Sequence, residues 1–412
     1  VSDPSGFQLN QSSPSVIAQH AGHAAPRPAG RPAQSVWNQP APRPSLALTV
    51  IGVVAIVLLC VVGLLVLGYL SLALGATAVV ICGLLALVPL LLVLQVVRWI
   101  DRWEPEPRGV LLFAFLWGAA ASVAIALLFD LAFQLTLVAT NSTALYTEFG
   151  ALAVQAPIIE ESAKGFGILL IFLVARRHFD GPVDGLVYGA TIAAGFAFTE
   201  NIQYFGQSLI EGGTSGLASV FFLRAILSPF AHVMFTCCTG IALGFGAQRF
   251  GVAGALGMWL LGLVPAIFLH ALWNGGSYIA GNFLAFYIAL QVPLFLVAIV
   301  IAVLLRQHEM RVTRRRLSEY ADAGWFTPAE VEMLSSWEGR RRARAWARTQ
   351  GSGTADAMQR FTLDATRLAY ARHRILRDRN HLGKQRDERQ ILEAVSADRF
   401  ALLHPTVAGA RT

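Results

Sequence analysis

The chain has 412 residues, 55% of them apolar and only 14% charged, with a formal net charge of +7. An average soluble domain carries roughly 25% charged residues, so this composition excludes a wholly water-soluble protein and puts most of the chain in lipid. The four cysteines, Cys60, Cys82, Cys237 and Cys238, all lie in hydrophobic stretches without the spacing of a disulfide framework or a zinc knuckle, and read as small core residues.

Residues 1–45 are rich in Pro, Ala, Ser and Gln with no apolar period, and are expected to form a disordered cytoplasmic tail. The opening VSDPSGFQLNQSSPS does not read as a leader, so the first hydrophobic helix is expected to do the targeting. From Leu46 to about Leu94 the apolar sequence is almost unbroken, about twice the ~20 residues that cross a bilayer. Two helices are predicted there, turning near Gly68 to Gly75. Further spans are predicted at 110–139, 149–175, 183–205, 218–248, 252–280 and 283–305, which makes residues 46–305 an all-α, polytopic membrane domain of about eight transmembrane helices. Residues 306–412, with RRR at 314–316 and GRRRARAWAR at 339–348, predict a small soluble helical region, Arg-rich and cytoplasmic. Its basic residues are mixed with Asp and Glu, which suits a solvated face beside an anionic membrane; no nucleic-acid partner is expected.

Cytoplasmic loops carry the excess of Lys and Arg. Arg27, Arg31 and Arg43 precede span 1, Arg98, Arg102 and Arg108 separate spans 2 and 3, Arg176 and Arg177 follow span 4, and Arg249 follows span 6. All fall on one side, while the other has only Arg224. Both termini are therefore expected to be cytoplasmic.

An ionisable side chain deep in a span costs at least ~2.5 kcal/mol on insertion scales and is a functional candidate by default. Four consecutive predicted spans carry them: Glu160, Glu161 and Lys164 in span 4, Glu200 and Asn201 in span 5, His232 in span 6, and His270 and Asn274 in span 7. On the predicted topology Glu160 and His232 each come about a dozen residues after an outer end, ~18 Å at 1.5 Å per residue. Glu200 and His270 lie past the middle of spans running the other way. All four thus share a level between the midplane and the outer leaflet. Asp130 in span 3 has no polar companion and reads as a structural hydrogen bond.

A carboxyl group among apolar side chains can act as a base toward water near neutral pH. Lys164 is within helical reach of both Glu160 and Glu161, which offers a means of keeping one carboxylate ionised beside a protonated neighbour. Histidines polarise a carbonyl, donate to an oxyanion or bind zinc, and Asn274 supplies a neutral donor. This set suffices for peptide hydrolysis without a covalent intermediate. Neither GxSxG nor HExxH offers a rival protease chemistry.

The residues EExxK at Glu160, Glu161 and Lys164, FxxxEN at Phe196, Glu200 and Asn201, His232, and HxxWN at His270, Trp273 and Asn274, with the loop IDRWEPEPR from Ile100 to Arg108, resemble the PrsW-type intramembrane proteases. That family is related to the CAAX prenyl proteases and abortive-infection proteins. The resemblance covers about residues 50–305. It implies a metallopeptidase whose di-glutamate is catalytic, with Glu160 the base and Glu161 next. The later Glu200, His232 and His270 are then water-activating or, if zinc is bound, metal ligands. It also implies a membrane-anchored, single-span protein substrate such as an anti-sigma factor, cut on its outer side. Two readings from other classes stay open at this point: a proton-coupled transporter, since buried Glu, Lys and His also build proton relays, and a non-catalytic membrane scaffold.

Overall fold

A computed structural model describes residues 46–142, 147–176, 179, 181–377 and 382–403; the expected N-terminal tail of residues 1–45 lies outside them. The described residues are helical, with no strand among them, and fall into two compact units that meet in sequence between Leu305 and Arg306.

The first unit begins with α1 (Leu46–Leu74) and α2 (Ala76–Ile100), which turn at Gly75 with φ 88°, a conformation that glycine adopts without strain. The loop 101–107 leads to α3 (Arg108–Ala139). Next comes α4 (148–174), built from a first turn Glu148–Gly150 capped by Thr147, a π-helical turn Ala151–Gln155, and Ala156–Val174. Helix α5 (Pro182–Phe221) continues through a π turn, Phe222–Leu227, to α6 (Ala231–Arg249). Helix α7 (Gly251–Ala280) follows, and then α8 (Phe283–Asp322), whose residues up to Leu305 belong to this unit and the rest to the second.

Among the described residues, six runs are long and apolar enough to cross a membrane, against the eight predicted. Two features account for the difference. Helix α4 carries Glu160, Glu161 and Lys164 within nineteen residues, and α5 to α6 form one run of 68 residues. The predicted break between spans 5 and 6 is present: helical geometry lapses at Gly213 (φ 59°, ψ −152°), and Phe205 and Phe221 on either side of it pack with ring centres 5.6 Å apart, where a continuous helix would hold them roughly 24 Å apart, so the chain turns back there. A second interruption, which was not expected, comes at Ser228–Phe230, where Pro229 breaks the helix and His232 falls in the first turn of α6.

Proline explains three of the π turns. Residues 151–155, 222–227 and 287–291 end two residues before Pro157, Pro229 and Pro293. A proline has no N–H for the carbonyl four residues back and clashes with it; widening the preceding turn relieves the crowding.

Helix α5 is the common wall of the unit. Its Val187, Ala190 and Ala194 pack with Leu90, Val93 and Val97 of α2, its Tyr188 and Ile192 with Ile168 and Phe172 of α4, and its Phe196 and Phe205 with Leu70 of α1 and Val123 of α3. Lipid offers no hydrophobic drive between helices, so close backbone approach must supply packing. It does so at Gly185 and Gly240, where a Cβ on either glycine would come within about 2 Å of the other's carbonyl oxygen (1.9 and 2.0 Å). That contact fixes α6, and hence His232, against α5. Outward-facing Leu58, Leu65, Val297 and Val300 of α1 and α8 are exposed, as lipid-facing residues would be. Cys60 is exposed on α1 as well, a departure from the expected core position; Cys82 and Cys237 are buried.

The loop IDRWEPEPR folds inward. Trp103 is buried, the Glu106 carboxylate accepts a hydrogen bond from the Tyr188 hydroxyl, and the Glu106 N–H donates to Asp101 (3.0 Å). Burial raises the pKa of Asp101 to about 6, against the pull of the Glu106 N–H. Burial, and then the neighbouring Asp184 carboxylate, drives Glu106 far above the usual carboxylate range, so it holds its proton at neutral pH. Its neutral form is the native one. Glu106→Gln is therefore expected to leave the thermal unfolding midpoint at pH 7 nearly unchanged, whereas Glu106→Ala, which strands Tyr188, lowers it. Because its folded pKa is raised, Asp101 favours the fold below the unfolded value of roughly 4 and loses that contribution as pH rises through about 6.

The second unit contains α9 (Pro328–Leu334), α10 (Trp337–Thr349), α11 (Ser352–Arg377) and α12 (Leu382–Leu403). Thr327 and Glu330 form a reciprocal capping box on α9, with Pro328 at its first turn. Leu317, Leu334, Met358, Phe361 and Leu368 fill the core. The expected solvated basic face holds for Arg341, Arg342 and Arg348, but Arg340 and Arg399 are buried. Arg340 donates to the Leu334 carbonyl (2.7 Å) and Thr366 (2.6 Å), and Arg399 pairs with Glu330 (3.0 Å).

Candidate active site

Helix α4 supplies three charged groups on adjoining positions. Glu161 and Lys164 are fully buried and paired at 2.6 Å, and Glu160 lies 3.7 Å from the same ammonium. The Lys164 ammonium also sits 4.0 Å above the Phe196 ring of α5 and 3.3 Å from His232 Nδ1. One cation thus serves a carboxylate pair, an aromatic face and an imidazole, which offsets the cost of burying it.

Two parallel relays run through the histidines. In the first, Glu161 accepts from Thr236 (2.8 Å) with one oxygen and meets His270 Nδ1 (3.0 Å) with the other. In the second, His232 Nε2 meets Glu200 (2.7 Å), and Glu200 is held in turn by Arg224. The Arg224 guanidinium also donates to Asn201 (2.6 Å) and lies 4.2 Å over the Tyr204 ring. Each relay orders cation, carboxylate and histidine: Lys164, Glu161, His270, and Arg224, Glu200, His232. The two imidazoles come together edge to face, with ring centres 5.1 Å apart.

Glu160 completes the convergence. Its Oε2 lies 3.8 Å from His270 Nε2 and is buried without a hydrogen-bond partner among the described residues. When His270 gives its Nδ1 proton to the Glu161 hydrogen bond, Nε2 presents a lone pair to that oxygen. Two acceptors then face each other with nothing to share, a pocket for a proton donor or a cation. A cavity of about 370 Å³ opens beside Glu160 and is lined also by Glu200, Phe196, Gln155 and Asp130.

Similarity to known proteins agrees with this arrangement. The description PrsW family intramembrane metalloprotease matches residues 106–303. Protease PrsW of Clostridioides difficile (strain 630) is 32% identical over 197 residues, 46% of this chain and 76% of that protein. The chain belongs to the PrsW family of intramembrane metalloproteases. Protease PrsW of Bacillus subtilis (strain 168) is 34% identical over 182 residues, 43% of this chain and 72% of that protein, and the Geobacillus kaustophilus (strain HTA426) protein is 31% identical over 176 residues, 42% and 69%. No solved structure matches. Membership of the PrsW family makes the protein an intramembrane protease, and the polytopic all-α class expected from composition is the one observed.

The PrsW family is described by a metal, and the residues present fit one. Glu160, His232 and His270 each offer a ligand atom, all within 4.8 Å of one another, and the unpartnered Glu160 oxygen opposite His270 Nε2 is a donor pair for a divalent ion. This set differs from the Glu200, His232 and His270 set that the motifs suggested. Glu200 is engaged by Arg224 and bonds His232 Nε2, a position from which it orients that imidazole. Both His232 nitrogens have neighbours, Lys164 and Glu200, so ligation through His232 displaces one of them.

Two other expectations change. Asn274, expected to donate to a reacting carbonyl, donates to the Leu152 carbonyl of α4 (2.9 Å). That carbonyl is free because the Ala156 N–H bonds to Ala151 and Pro157 has no N–H, so Asn274 repairs the π turn and fixes α4 to α7. Asp130, expected to lack a polar companion, accepts from Gln155 (3.3 Å) and Gln134 (2.8 Å). Arg224 is the member of the network that motif reading missed. Its signal was present, since it is the one basic residue on the arginine-poor side.

Proposed function

We propose that the chain hydrolyses a peptide bond in a single-span membrane protein, such as an anti-sigma factor, with water activated by Glu160. The observation that carries this reading is the buried, unpartnered Glu160 oxygen facing His270 at the inner end of a cavity. Glu160 takes the proton of a water placed between it and His270 and later returns it to the leaving amine, a general-base then general-acid role. Glu161 holds His270 in the tautomer that points Nε2 inward. Glu200 engages His232 through Nε2 and so turns its Nδ1 toward Lys164, and Lys164 and Arg224 pair with the two orienting carboxylates. When a metal is bound, Glu160, His232 and His270 would hold it and it would acidify water and polarise a carbonyl, the Glu160 oxygen then serving as a ligand in place of the base.

We further propose that residues 46–305 are the protease domain of a bacterial plasma membrane protein with both termini cytoplasmic, the side to which the arginines of its loops are biased. The site then opens toward the outer leaflet, and cleavage falls on the outer part of the substrate span. The test is reconstitution in proteoliposomes with a labelled single-span substrate, with and without chelator and zinc. Cleavage retained when Glu160→Gln and Glu161→Gln are combined overturns the glutamate mechanism.

A further inference from the structure

The cavity at Glu160 is polar in one sense only. Among the residues that line it, every charged side chain is a carboxylate: Glu148, Asp130, Glu200 and Glu160. They mark a path. Glu148 is exposed at the start of α4, and Glu160 lies twelve residues further along the same helical run, roughly 18 Å at helical rise. Asp130 projects from α3 into the same space and is joined to it by Gln155, the last residue of the π turn that Pro157 imposes.

The Asp130 carboxylate is held only by neutral groups. Gln134 and Gln155 donate to its two oxygens, and no Lys or Arg among the described residues pairs with it. Glu160 and Glu200, by contrast, each have a cation at hand. A carboxylate with amide partners alone, in the wall of a cavity of about 370 Å³ that sits in the usual range of ligand pockets, roughly 300–1,000 Å³, gains most from a cationic occupant. Glu160 Oε2, which makes no hydrogen bond among the described residues although Lys164 lies 3.7 Å away, borders the same cavity and gives that occupant a reaction to be positioned for.

We propose that Asp130 is a specificity residue: the cavity takes a Lys or Arg side chain of the substrate, on the outer side of the bond to be cut, and seats its charge against the Asp130 carboxylate. The exposed Glu148 attracts the same charge at the entrance. Gln155 keeps Asp130 oriented and ties the specificity pocket to α4, the helix that carries Glu160, so occupancy of the pocket sets the register of the substrate against Glu160. Specificity of this kind is a difference between charged and neutral substrates, and it reverses when the pocket charge is reversed.

The inference rests on Glu160 being the reacting group. In proteoliposomes, a single-span substrate is made with Lys, Gln or Glu at each successive position of its outer half. Wild-type protein is expected to cleave the Lys form at least tenfold faster, by kcat/KM, than the Gln form at one position or two adjacent ones, and the Glu form slowest. Asp130→Asn is expected to reduce that ratio toward one, and Asp130→Lys to favour Glu over Lys. A wild-type scan that is flat in charge, or a preference that survives Asp130→Asn, overturns the inference, and the first of these needs no variant to fold. Glu160→Gln on the fastest substrate separates the two readings. Cleavage near the wild-type rate there condemns the glutamate mechanism, whereas a Glu160→Gln slowed by about 10²-fold or more, with a flat charge scan, condemns only the role of Asp130.

Discussion

Glu160→Gln is expected to lower cleavage of a single-span substrate by about 10²–10⁴-fold, the usual contribution of a positioned general base. The amide preserves the shape of the side chain but cannot take a proton from water, and it presents a weaker ligand to any metal shared with His232 and His270. Folding is expected to survive, because the Oε2 that changes makes no hydrogen bond among the described residues. Glu161→Gln differs in kind. Glu161 is fully buried between Lys164, Thr236 and His270, so its loss leaves an ammonium without its nearest counter-ion and an imidazole without its tautomer lock. That variant is expected to lose thermal stability as well as turnover. Measuring both quantities for both variants distinguishes a reacting carboxylate from an orienting one. Equal losses of stability in the two would place them in the same structural role and remove the basis for choosing Glu160.

The sequence made the charged members of this site legible because lipid is an unforgiving solvent: Glu160, Glu161, Lys164, Glu200, His232 and His270 have no business in apolar helices, and the structure brings all six together. What it could not reveal was which oxygen faces which nitrogen. Sequence spacing put Glu200 and His232 at helix depths that depended on a break near residues 206–217, and the chain does turn back there, at Gly213; what spacing did not reveal was the further interruption at Pro229, which sets His232 in the first turn of α6. The signal was there in the proline, but apolar sequence on both sides hides it from hydropathy. Asn274 shows the opposite limit. An amide four residues from a serviceable histidine looked chemical, and its partner turned out to be a backbone carbonyl freed by a π turn, a defect that no side-chain pattern announces.

Arg224→Ala is the second variant expected to have a large effect, and the more informative about architecture. The Arg224 and Glu200 side chains are 16% and 13% exposed, so the pair is largely shielded, and removing one partner from a buried pair costs about 3–5 kcal/mol because the other charge is stranded. Glu200 is then free to turn, and His232 loses the contact that fixes its ring. Loss of such an orienting partner typically lowers metal affinity 10–100-fold, which competition with a chromogenic chelator measures on purified protein without any substrate. Arg224→Lys restores the charge but not the planar fork that reaches both Glu200 and Asn201, so it is expected to recover stability more than affinity. The double replacement Arg224→Met with Glu200→Gln removes both charges and is expected to recover much of the stability while leaving His232 without its carboxylate and turnover low. Stability and metal affinity that stay at wild-type values in Arg224→Ala would mean that Glu200 is held by His232 alone, and the second relay would end at the carboxylate.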